Sequence, residues 1–94
     1  MSLQFEWDRS KAGDNAKKHG VGFDEALTVF KDPLARIFDD PDHSDEEPRE
    51  IIIGHSSKPR LILVCFTERQ GKIRIINARR ATKRERQDYE QNTK

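Results

Sequence analysis

Three apolar runs stand close together in the second half of the chain: EIIIGHS over 50–56, RLILVCFTE over 60–68 and KIRIINA over 72–78. They are rich in isoleucine, valine and leucine. The links between them, Ser57-Lys58-Pro59 and Arg69-Gln70-Gly71, are short connectors of hairpin type. Links that short join antiparallel neighbours and leave no room for a crossover. The runs therefore predict an antiparallel meander, and everything else in the chain must be arranged around it.

The flanking segments supply helices. Residues 3–7, LQFEW, alternate as a short strand would. Asp8 is a good N-cap for a helix over 9–19, whose apolar face is thin: Ala12, Ala16 and His19, with Asn15 beside them. Gly20 is a natural stop after Lys17, Lys18 and His19. Phe23, Ala26, Leu27 and Phe30 mark the core face of a second helix over 23–31, which Asp32-Pro33 ends. LARIF over 34–38 reads as a further strand, and the acidic, proline-containing stretch 39–50 as a solvated loop. Thr82 and Glu85 form a capping box that opens a last helix over 83–92. A chain of 94 residues has room for one domain, 1–94. This order predicts an α+β fold, with the first two helices on one face of an antiparallel four-stranded sheet. The other face must be covered by the last helix, by a partner chain, or only in part.

Composition narrows the function. The lone cysteine, Cys65, lies inside LILVCF and cannot form an internal disulfide, which fits a reducing cytosol. No apolar run approaches the roughly 20 residues of a membrane span, and the N-terminus lacks a signal-peptide pattern. A soluble, cytoplasmic protein is expected. The net charge of +1 hides a segregation: residues 1–31 balance to 0, residues 32–50 to −6 and residues 51–94 to +7. The basic part could draw in a polyanion; the alternative is that both sets of charges only keep the domain in solution.

Arginines at the ends of apolar strands are the clearest candidates for chemistry. Strand alternation sets Arg60 and Glu68 on one face of 60–68. It sets Arg74, Ile76, Ala78 and Arg80 on one face of the next strand, and Ile73, Ile75, Asn77 and Arg79 on the other. Arg60, Arg74 and Arg80 could then align across the strands near Glu68. Guanidinium groups on a rigid sheet suit bidentate phosphate binding; the alternative pairs them with Glu68, Glu85 or Asp88. Lys18 and His19 are a second candidate, a phosphate ligand and an acid or base, against a packed, hydrogen-bonded His19. Lys83 adds charge at the start of the last helix. His43 among Asp42, Asp45 and Glu46 lacks metal-ligand spacing, so no metal or cofactor is expected. His55, Trp7 and Tyr89 read as packing residues. No phosphate-cradling glycine motif or serine nucleophile elbow is present.

Read together, FEWDRSKAGDNAKKHGVGFDEALTVFKDPLA, IIIGHSS, RLILVCFTER and RIINARRATKRERQDYE resemble the BrnT toxins of bacterial type II toxin–antitoxin systems. The resemblance runs from about Phe5 to Glu90. Gly22 departs from it where a helix-capping serine is frequent, and Asn77 where serine is usual. The resemblance implies a RelE-like fold and a metal-independent endoribonuclease that inhibits translation. It implies a BrnA-type antitoxin with a ribbon-helix-helix DNA-binding domain, in a complex that represses its own promoter, with a homodimer or a heterotetramer as possible assemblies. Carried over by position, it implies Lys18, Glu68, Arg74 and Arg79 as catalytic, and His19, Arg60, Arg80 and Lys83 as RNA-binding. The competing readings are a nucleic-acid-binding module without catalysis and a protein-interaction module.

Overall fold

The structure, a computed structural model, describes residues 3–40 and 48–92. Its elements are β1 (Phe5–Glu6), α1 (Arg9–His19), α2 (Phe23–Thr28), β2 (Arg36–Asp39), β3 (Glu50–His55), β4 (Leu61–Arg69), β5 (Lys72–Arg80) and α3 (Lys83–Asn92). The expected meander is β3–β4–β5. The hairpin between β4 and β5 is closed by Gln70 and Gly71, with φ of 53° and 79°. Both central residues thus lie in the left-handed region, as the tightest hairpin turn requires.

The α+β class holds, but the sheet is mixed and five-stranded, in the order β1-β5-β4-β3-β2. The short N-terminal strand is not an accessory to a four-stranded antiparallel sheet. It pairs parallel to β5, with Phe5 opposite Ile73 and Glu6 opposite Arg74. The chain can make this parallel pair because α1, α2, β2 and the meander all intervene. Two other expectations shift at the turn after α2. The helix tightens into a 3-10 turn over Val29–Lys31. Asp32 then accepts from the backbone N–H of Leu34 (2.9 Å) through its carboxylate, and its carbonyl takes the N–H of Ala35 (3.0 Å). This turn consumes the first residues of LARIF, so β2 starts at Arg36. Gly54 lets β3 approach the turn: a Cβ there would sit 2.9 Å from that of Ala35.

A bulge resets the faces of β5. Cys65 pairs with Asn77 but Phe66 pairs with Ile75, which leaves Ile76 as the extra residue. Ile75 and Ala78 therefore both point into the core, at 2% and 0% exposure. Arg74, Asn77 and Arg79 share the opposite face. The alternation expected from sequence, with Arg74 beside Ala78 and Arg80, and Ile75 beside Arg79, fails at this one residue.

The core forms where α2 meets the sheet. Val21, Phe23, Ala26 and Val29 pack on Ile52, Ile62, Val64, Phe66, Ile75 and Ala78. Phe30 meets the ring of Phe66 edge-on at 5.0 Å, and Trp7 meets Phe23 at 6.0 Å. The second face of the sheet is covered only in part. There α3 lays Tyr89 on Ile53, Leu61 and Leu63.

Helix α1 does something its pattern did not announce. Its buried residue is Asn15, while Ala16 is exposed. The Asn15 amide donates to the carbonyls of Ala78 (2.8 Å) and Val21 (2.9 Å). Its oxygen accepts from the N–H of Ala78 (3.1 Å). One side chain thus satisfies both backbone groups of an edge residue, as a neighbouring strand would. Asp8 caps the helix start, accepting from Ser10 and Lys11. Gly20, at φ 69°, ends it as expected.

Candidate functional site

Because α1 seals the edge of β5, it also walls one side of the open sheet face. The result is a cleft of about 550 Å³. Its wall presents Lys11, Asp14, Lys18 and His19; its floor is Ile51, Leu63 and Cys65. Arg79 and Asn77 enter from β5. Three of the expected site residues, Lys18, His19 and Arg79, therefore share one cleft, although 60 positions separate His19 from Arg79 in the sequence.

Arg79 is held firmly. Its Nη1 and Nη2 donate to the two carboxylate oxygens of Glu85 at 2.7 and 2.8 Å. Glu85 also accepts from the N–H of Thr82 (2.8 Å), while Thr82 Oγ1 accepts from the N–H of Glu85 (3.1 Å). The capping box expected at α3 is thus the clamp that orients a guanidinium beside the cleft. The Arg79 hydrogen bond, followed by the cap, pulls the Glu85 carboxyl down to about 2. The same bond pushes the Arg79 guanidinium up.

The cleft floor is chemically quiet. Cys65 donates weakly to Asp40 Oδ2 (3.7 Å). Burial, then the nearby Asp40 charge, pushes its thiol up to about 11. It remains a thiol at neutral pH and is no nucleophile.

The other expected residues lie elsewhere. Arg74 is on the same face as Arg79 but borders a separate, smaller pocket, where Nη1 donates to Glu6 (2.9 Å). Arg60 does not line up with it. Arg60 Nε and Nη2 grip the buried Glu25, and Nη2 also donates to the carbonyl of Gly20 (2.8 Å). Glu25 accepts from Ser56 as well (2.6 Å). That arginine ties the end of α1 to α2 and to the β3–β4 connection. Glu68 is exposed and pairs with Ile73, on the face opposite Arg74 and Arg79. Arg80 pairs with Ile62, also on that opposite face. Lys83 is exposed at the start of α3. The acidic group around His43 lies outside the described residues.

Sequence reasoning passed over Lys11, Asp14, Asn77 and Asp40. A signal existed for the first two, since Lys11, Asp14 and Lys18 recur at helical spacing along one stripe of α1. Asp40 had none: only the fold brings it to Cys65. Among the described residues, no helix is long and apolar enough to cross a membrane.

Comparison with known proteins bears on what such a cleft is for. Residues 7–85 match the family described as "Ribonuclease toxin, BrnT, of type II toxin-antitoxin system". Among solved structures, the chain is similar to the 1.1 Å crystal structure of the Brucella abortus ribonuclease toxin, BrnT. The TM-score is 0.67 at 25% identity, covering 87% of this chain and 100% of that one. No curated protein matches the sequence. The matched stretch contains every residue placed in the cleft, together with the Glu85 clamp. The chain belongs to the BrnT family, the ribonuclease toxins of type II toxin–antitoxin systems.

Proposed function

We propose that this chain is a metal-independent endoribonuclease whose active site is the cleft between α1 and the open face of the sheet. The observation that carries the reading is the convergence of Lys18, His19 and Arg79 on that cleft, in a chain of the ribonuclease toxin family. Cleavage without a metal needs a base for the ribose 2′-OH, positive charge on the pentacoordinate phosphorus, and an acid for the departing 5′-oxygen. Arg79, oriented by Glu85, neutralises the phosphoryl oxygens, and Lys18 is a second phosphate ligand. His19 takes the proton-transfer work, because imidazole suits exchange near neutral pH. Glu68 is not assigned the base role, since it points from the other face. In the reaction, the 2′-oxygen loses its proton to the base and bonds to phosphorus. The bond from phosphorus to the 5′-oxygen breaks, and that oxygen takes a proton from the acid. The products are a 2′,3′-cyclic phosphate and a 5′-hydroxyl.

The wider reading follows from the family. The fold is RelE-like, RNA cleavage inhibits translation in the cytoplasm, and a BrnA-type antitoxin with a DNA-binding domain neutralises the toxin. Purified protein incubated with total RNA in excess EDTA is the direct test. Degradation by the wild type, lost in Arg79→Ala and His19→Ala, is expected. Equal degradation by Arg79→Ala would sink the assignment, as would cleavage of an oligonucleotide that lacks the 2′-OH at the cut site.

A further inference from the structure

A second, smaller pocket of about 160 Å³ adjoins the cleft on the same face, and Lys11 and Ile76 line both. Its other polar lining residues are Asp8, Arg49, Arg69 and Arg74. Four cations thus converge from four separate segments: α1, the residue before β3, the end of β4, and β5. Within reach, Asp8 and Glu6 offset only part of that charge, Glu6 through its 2.9 Å pair with Arg74. Gathering like charges at one small concave point costs Coulomb energy that an anion would recover. Its volume suits a phosphate group and is too small for a nucleobase with its sugar. Arg49 links the two hollows, since its charge also acts on the Cys65 thiol at the cleft floor.

We propose that this pocket is a second phosphate subsite, which holds a backbone phosphate of single-stranded RNA flanking the phosphate cut beside Arg79. The inference rests on the ribonuclease reading of the cleft and extends it to the substrate. Arg74 and Arg79 are five positions apart on β5, roughly 15 Å at strand rise. One phosphodiester cannot touch both, so an occupant of both sites is a chain with several phosphates. Arg74 then serves in binding the flanking phosphate, away from the reacting atoms.

The test uses 2′-O-methyl RNA, which binds but cannot be cut, as a dinucleotide and as a ten-residue oligomer. Affinities are measured against salt for wild type, Arg69→Gln, Arg49→Gln and, as a control away from the pocket, Lys58→Gln. The wild type should bind the longer oligomer more tightly, with a steeper salt dependence. Each pocket variant should lose several-fold in affinity for the oligomer, and the slope of log K against log salt should fall by about 0.7 per lost contact. Dinucleotide binding and the control should not change. Circular dichroism of each variant guards against misfolding, and Lys11→Gln is a further variant expected to weaken the oligomer. Wild-type affinity and slope for the oligomer in all three pocket variants would overturn the subsite. So would equal weakening of dinucleotide and oligomer by inorganic phosphate, because it would indicate a site for free phosphate alone. If the length-dependent binding is present but unmodified RNA is never cut, the subsite stands and the ribonuclease reading of the cleft falls.

Discussion

The two arginine–glutamate pairs of this molecule use similar bonds to opposite ends. In one, Arg60 holds Glu25, whose side chain is 4% exposed, and spends a further N–H on the Gly20 carbonyl. In the other, Arg79 holds Glu85 with side chains 40% and 29% exposed, at the rim of the cleft. The first pair is enclosed by α1, α2 and the β3–β4 connection, so its work is finished when the chain has folded. The second fixes a guanidinium where water and a ligand can still reach it. Charge and strand position alone do not distinguish the two arginines. What separates them is what surrounds the carboxylate that each one meets.

The largest effect expected from this contrast is on catalysis. Arg79→Ala should lower the rate of RNA cleavage by roughly 10²–10³, the usual cost of removing one preorganised donor from a developing charge. Its melting temperature should fall only slightly, because Glu85 keeps its bond to the N–H of Thr82. Single-turnover cleavage and thermal melting on the same preparation check both halves. A cleavage rate near that of the wild type would dissolve the distinction between the pairs.

Next in size is the converse. Glu25→Ala removes the acceptor for Arg60 and for Ser56, and should cost about 2 kcal/mol of stability through the buried groups left without partners. Urea unfolding measures it. Below the unfolding transition, the variant should cleave RNA at the wild-type rate. A fall in activity without a fall in stability would mean that the Glu25 region belongs to the site.

Much of the fold was legible before the structure was consulted, and the reasons for the exceptions are physical. The meander, the Asp8 and Gly20 helix ends and the Thr82–Glu85 box are local signals, each carried by residues a few positions apart. The bulge at Ile76 was not legible. One inserted residue inverts every later face assignment on β5, and nothing in RIINARR marks where it falls. Asn15 looked like an interruption of a thin apolar stripe, because its partner Ala78 is 63 positions away. The site was legible as residue types and not as a set. Lys18, His19 and Arg79 were candidates one by one, and so was Arg60. Only the contact between Arg60 and a glutamate 35 positions earlier assigns it to the framework.

The smallest expected effect is in acid, and it bears on the exposed pair alone. The Glu85 carboxyl lies at about 2 in the folded chain against an ordinary 4.5. Its folded value is lowered, so its contribution is complete above the ordinary value and drains away as pH falls from about 4.5 toward 2. Glu85→Gln keeps an oxygen for the Thr82 N–H, since glutamine also completes a capping box, but carries no charge for Arg79. The wild type should therefore be modestly the more stable at pH 7, by less than about 1 kcal/mol for a pair this exposed. The two unfolding curves should converge as the pH approaches 2. Glu25, also lowered chiefly by its Arg60 hydrogen bond, is present in both proteins, so its loss in acid cancels from the difference. A gap that stayed constant down to pH 2 would mean that Glu85 stabilises through the cap alone and that Arg79 is oriented by something other than its charge.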